Sequence, residues 1–90
     1  MIKDQKLSIY DEKNVHLFGE ISKGCLHLES SVFGEEYDSE KHYIFSKEET
    51  TKLFDIISID DFIALCMKEY LIGLEAFLEE NNIKYKKHII

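Results

Sequence analysis

The chain has ninety residues, 44% of them hydrophobic and eleven of them Phe or Tyr, which makes one domain, residues 1–90, too apolar for a disordered tail. Its net charge is −7, it has no arginine, and both halves are acidic, with nine acids against five lysines up to residue 45 and nine against six beyond it. That field argues against nucleic acid or an anionic membrane as a direct ligand and leaves a basic protein surface as the natural partner.

The first half of the chain alternates. Leu7 and Ile9 share a face in "KLSIY", Val15 and Leu17 in "NVHLF", and Leu26 and Leu28 in "CLHLE". A period of two predicts half-buried strands, with turns at "DEKN" and "GEISKG". A register pairing Ile9 with Val15, Leu7 with Leu17, Leu17 with Leu26 and Val15 with Leu28 puts every apolar pair on one side. "KHYIF" is expected as a fourth strand, after the acidic stretch "FGEEYDSE".

The period then changes. Ser46 followed three residues later by Glu49 has the form of a capping box, and Ser58 with Asp61 repeats the signal. The second signal opens "FIALCMKEYLIGLEAFLEENN", where Ile63, Met67, Tyr70, Leu74 and Phe77 hold a helical stripe widened by Phe62, Leu65 and Cys66. Gly73 is the expected kink or split, so residues 59–81 read equally as one helix or two. Asn81 and Asn82 form a stop, and Ile83 and Tyr85 then alternate as a last strand bearing edge lysines. The expected fold is α+β: an antiparallel sheet of four N-terminal strands and a fifth C-terminal one, with two or three helices packed on one face.

Chemistry is sparse. No nucleophile elbow, phosphate loop or dinucleotide fingerprint is present, and the pairs Asp60–Asp61 and Glu79–Glu80 read as a helix first turn and a polar helix face. No catalytic residue and no cofactor is expected, so the chain reads as a binding protein and not an enzyme. In the register above, His16 and His27 oppose each other with Cys25 alongside, and His42 is a further donor. They come from three different strands without metal-ligand spacing, so no metal is expected and what these residues do is left open. Cys66 sits in "FIALCM", the longest uninterrupted apolar run at six residues, where a free thiol packs as a small hydrophobe. With no apolar leader and no membrane-length run, a reduced, cytoplasmic setting is expected.

The acidic stretch holds the candidate contact residues. Glu35, Glu36, Asp38 and Glu40 surround Tyr37, with Phe33 as a second aromatic. The spacing is not that of an EF-hand, since Gly34 precedes the acids instead of dividing them. Aromatic anchors ringed by carboxylates suit a basic partner.

From Leu26 onward, "EKHYIF", "ETTKLFDII" and "GLEAFLEENNIKY" resemble a family of small uncharacterised bacterial α+β proteins. The resemblance implies the fold and a bacterial origin and brings no activity with it. The functional expectation is thus a small acidic cytosolic domain that occludes a basic partner, a nuclease or toxin, as immunity proteins and phage inhibitors do. The alternative is a structural module of a larger complex or homo-oligomer, a homodimer included, without an inhibitory role.

Overall fold

A computed structural model describes residues 3–12, 14–33, 38–67 and 71–90. The alternating segments form β1 (Gln5–Glu12), β2 (Val15–Ser22), β3 (Cys25–Phe33) and β4 (Asp38–Ile44). Helices α1 (Lys47–Ile56), α2 (Ile59–Met67) and α3 (Ile72–Glu80) follow, and β5 (Lys86–Ile89) closes the chain. The strands make one antiparallel sheet in the order β1-β2-β3-β4-β5. This is the expected α+β arrangement, with the helices on one sheet face. No helix among the described residues is long and apolar enough to cross a membrane.

The faces are as alternation predicts, but the registers are not. Leu7 lies opposite Gly19 and not Leu17, and Leu26 opposite Ile21 and not Leu17. The cause is turn length. β2 and β3 are joined by two residues alone, Lys23 at φ 53° and Gly24 at φ 81°, the positive pair of a tight hairpin turn. The expected turn "GEISKG" therefore dissolves into strand, with Gly19 and Ile21 facing the core. Gly19 fits there because an added Cβ would stand 3.0 Å from the Leu28 side chain. The first hairpin is likewise tighter than "DEKN", pairing Glu12 with Val15, and a bulge at Ile9 absorbs the mismatch.

The core is one cluster. Leu7, Ile9, Leu17, Ile21, Leu26, Leu28, Tyr43 and Phe45 come from the sheet, and Leu53, Phe62, Cys66, Leu71, Leu74 and Leu78 from the helical side. Cys66 is fully buried, and desolvation pushes its thiol up to about 12, so it packs as a small hydrophobe. Both cysteines are free.

Within residues 59–81 the described residues form two helices, α2 ending at Met67 and α3 starting at Ile72, and the non-helical backbone described between them is at Leu71, not Gly73. Leu71 takes φ 74°, a conformation that costs about 1–2 kcal/mol for a residue with a Cβ. Burial of its side chain, 2% exposed, offsets that cost by roughly 1.5–3 kcal/mol. The break resets the helical phase. The buried stripe becomes Phe62 and Cys66, then Leu71, Leu74 and Leu78, while Met67, expected in the core, is half exposed; Tyr70 lies outside the described residues.

The Asn stop holds. Asn82 is left-handed at φ 56°, its N–H donates to Glu79 O at 3.2 Å, and the Ile83 N–H donates to Leu78 O at 2.9 Å. This double bond is a Schellman closure. It turns buried Ile83 back onto α3, so the last strand begins at Lys86 and not at Ile83. Tyr85 instead rests against Tyr43 and Phe45, and Lys87 Nζ meets Glu75 Oε1 at 2.8 Å, fastening β5 to α3.

Both caps form. Ser46 Oγ accepts from Glu49 N at 3.2 Å, and Ser58 Oγ from Asp61 N at 3.1 Å. Glu49 does not complete a reciprocal box, because its carboxylate accepts the Lys84 N–H at 3.1 Å. One turn further on, buried Thr50 accepts the Leu26 N–H at 3.0 Å, joining α1 to the start of β3. Thr50→Val keeps the shape and orphans that donor, so it should lower unfolding stability by about 1–3 kcal/mol. Thr50→Ser should retain most of it; urea titration of both variants measures the difference.

Candidate functional site

Because the helices cover one face of the sheet, the other face stays open. Its residues follow from the pairing. One cross-strand row runs Ser8, Phe18, Glu29, His42, His88, and a second runs Lys6, Glu20, His27, Ile44, Lys86. A third runs Asp11, His16, Ser31, Glu40. All four histidines of the chain thus stand on the helix-free face, among Asp11, Glu20, Glu29 and Glu40. Phe18 and Ile44 are 44% and 39% exposed on it.

The middle of the face is a bonded cluster. His42 Nε2 lies 2.7 Å from Glu40 Oε1 and 3.8 Å from Glu29 Oε1, and His42 Nδ1 lies 2.9 Å from His27 Nε2. With both rings neutral the polarity is consistent: His42 Nε2–H donates to Glu40, and His27 Nε2–H donates to the vacant His42 Nδ1. His42, Glu29 and Glu40 have side chains 17%, 25% and 37% exposed, so the cluster is partly withdrawn from water. The two carboxyls diverge. Hydrogen bonding to Glu40, then partial burial, raises Glu29 above its ordinary 4.5, whereas hydrogen bonds from Glu29 and His42 hold Glu40 below it.

Only part of the expected contact set reaches this face in described form. Glu40 does, as a member of the cluster. Phe33 and Asp38 pair with each other through their backbones where β3 ends and β4 begins. Glu35, Glu36 and Tyr37 lie outside the described residues. The expected opposition of His16 and His27 is overturned by the register: His16 faces Ser31 and pairs with Asp11 at 2.6 Å, while His27 faces Glu20. Cys25 is exposed, with its sulfur 4.0 Å from the Lys23 carbonyl. The sequence pattern does not single out Glu29, and it offers His42 only as a supplementary donor. Alternation alone places both outward; that they meet requires the β3–β4 register, which the length of the acidic stretch conceals.

A cleft of about 520 Å³ lies at the opposite end of β3 and β4, lined by Cys25, Phe45, Glu49 and Tyr85 among others. Its Glu49 carboxylate is already engaged by the Lys84 N–H, which leaves the cleft largely apolar. Comparison with protein-family models, with curated proteins and with solved structures finds no match to this chain.

The Glu29 shift carries a sign that can be measured. A folded-state value above the unfolded one means that the ionised form is disfavoured by the fold. The stabilising contribution is then complete below the ordinary value of 4.5 and is lost as pH rises through the folded value. Glu29→Gln, permanently neutral and able to donate to Glu40, should therefore raise the Tm at pH 7. That gain should shrink as pH falls below the folded Glu29 value, where the wild type is itself protonated. Thermal melts from pH 3.5 to 7.5 test both the sign and the window.

Proposed function

We propose that this chain is a small acidic protein-binding domain that occludes the basic surface of a nuclease or toxin, acting by contact and not by catalysis. The observation that carries the reading is the open sheet face, where exposed Phe18 lies opposite Glu29 with Asp11, Glu20 and Glu40 on the same face, and exposed Ile44 lies between His27 and Lys86. Aromatic and aliphatic anchors in an acidic surround supply the two things such a contact needs, a desolvated centre and a steering field. Asp38 opens β4 at the end of the sheet that carries Asp11 and Glu40, and Glu35 and Glu36 precede it in sequence. A reduced cytoplasm is the setting this reading implies, in keeping with two free thiols.

Exposed apolar residues on the helices favour the second reading, an assembly module or homo-oligomer. Ile72 is 64% exposed, Met67 50% and Ile56 49%. The two readings differ in their response to salt. Occlusion predicts an association rate with the captured basic protein that falls about tenfold or more between low and physiological ionic strength. It also predicts loss of capture when Glu35, Glu36 and Asp38 become Gln, Gln and Asn, and faster dissociation with Phe18→Ala. The captured protein should lose its grip on nucleic acid in the complex. Equal capture by wild type and loop variant, with nucleic-acid binding intact, would sink the occlusion reading. Salt-insensitive association abolished by Ile72→Glu would establish the assembly module in its place.

A further inference from the structure

We propose that Glu29, Glu40 and His42 form a binding site for a divalent transition-metal ion of the zinc class, with His27 as the outer partner that sets the His42 tautomer. The inference does not rest on the occlusion reading: Glu29 and Glu40 are common to both surfaces, but Phe18, Glu35, Glu36 and Asp38 take no part in the site.

Placement is the first argument. Glu29 and His42 are directly opposite in adjacent strands, and Glu40 is two residues before His42, hence on the same face. One carboxylate oxygen from each Glu and one His42 nitrogen all lie within 4.8 Å of one another. Around zinc, bonds of about 2.0–2.1 Å set tetrahedrally put neighbouring donor atoms roughly 3.3 Å apart. The separations from His42 Nε2, 2.7 Å to Glu40 and 3.8 Å to Glu29, bracket that value. An ion entering between them would lengthen one and shorten the other by about half an ångström each, which carboxylate rotamers accommodate without moving the strands.

The second argument is the proton account at the histidines. A metal on His42 Nε2 requires that nitrogen bare, so the ring proton moves to Nδ1. There it meets His27 Nε2 at 2.9 Å. His27, carrying its own proton on Nδ1, becomes the acceptor, and the same hydrogen bond persists with its direction reversed. Each ring keeps a single proton throughout. A ligating histidine whose second nitrogen is held by a neighbour is the usual outer-sphere arrangement, and it fixes both ring orientation and basicity.

The donor set names the class of ion. One imidazole and two carboxylates suit Zn²⁺, Co²⁺ or Mn²⁺, whereas calcium takes oxygen donors alone and Cu(I) prefers thiolates. Three protein donors leave at least one position for water or for a group from a partner. Of the donors weighed from the sequence, His16 sits with Asp11 at 2.6 Å and the Cys25 thiol lies near the Lys23 carbonyl, whereas His88, opposite His42 on β5, is on the same face. This site differs from the His16, His27 and Cys25 combination considered from the sequence, and it arises from a register that periodicity does not reveal.

The test is calorimetric titration of Zn²⁺ into untagged, chelator-stripped protein at pH 7.5, with Co²⁺ absorption as a second readout. One equivalent should bind with a Kd on the order of micromolar, and Co²⁺ should develop the visible bands of a low-coordinate N,O site. Glu40→Gln and His42→Ala should each weaken binding about 100-fold or more, and His27→Ala about 10- to 100-fold, while His16→Ala leaves it unchanged. Glu40 is the most exposed of the three donors, so Glu40→Gln keeps the test open should His42→Ala fail to fold. Absence of saturable binding in the wild type overturns the proposal. So does binding that survives Glu40→Gln, or binding that disappears with His16→Ala or Cys25→Ser.

Discussion

Leu26 is the residue on which the rest of the molecule is registered. Its N–H is held by the Thr50 hydroxyl at 3.0 Å, its C=O accepts the Phe45 N–H at 2.9 Å, and its fully buried side chain lies across from Ile21. Those contacts lock three things together: the β2–β3 hairpin, the β3–β4 pairing and the seat of α1. A buried backbone group without a partner would cost about as much as a lost hydrogen bond, so each contact is close to obligatory. Counting outward from Leu26, Glu29 and His42 must land opposite one another. The cluster on the open face is a geometric consequence of how the closed face is built.

One-sided coverage has a second consequence. Among the described residues, three short helices cover the apolar face of a five-stranded sheet, and none lies on the other. The outward residues therefore answer to water, not to packing, and the expected content is short polar side chains with charges at the edges. Here the outward rows instead carry all four histidines, an exposed Phe18 and two carboxyls held close enough for their proton affinities to diverge. Titratable groups placed this near one another on interior strands perturb each other, raising Glu29 and lowering Glu40. Their presence there makes this face, more than the helices, the place to look for binding.

Alternation in the first half of the chain reveals which residues face inward, and the structure agrees at Leu7, Ile9, Leu17, Leu26 and Leu28. It cannot reveal register, because a slip of two residues preserves every inward side chain. The pairing of Leu17 with Leu26 and the pairing of Ile21 with Leu26 are equivalent to the core; the two-residue turn at Lys23 and Gly24 decides between them. Local chemistry was legible where one residue type has one physical use. Ser46, Ser58 and Asn82 all act at helix ends as their hydrogen-bonding groups suggest. The break at Leu71 was not, since nothing intrinsic to leucine favours positive φ; burial selects it, and Gly73, the residue that tolerates such a φ, sits inside α3. Of the acidic stretch, Glu40 alone joins the described cluster, and its partner Glu29 lies on the preceding strand, too far away in sequence for proximity to suggest it.

The same degeneracy explains why a site on β3 and β4 is better placed than one made of loop acids. Strand backbones are ordered by folding, so donors carried on them incur little further backbone entropy when a ligand arrives. The register must then be unique, and the core cannot make it so. A slip of two residues in one direction would set Glu29 directly across from Glu40, two carboxylates with no ring between them. In the other direction it would set Glu29 across from Ile44 and carry His42 over to Ser31. Both alternatives keep Tyr43 inward. What excludes them is the hydrogen bond from Phe45 N–H to Leu26 O at the far end of the ladder, together with the Thr50 bond beside it. A polar contact at the mouth of α1 thus determines which side chains meet on the opposite side of the sheet.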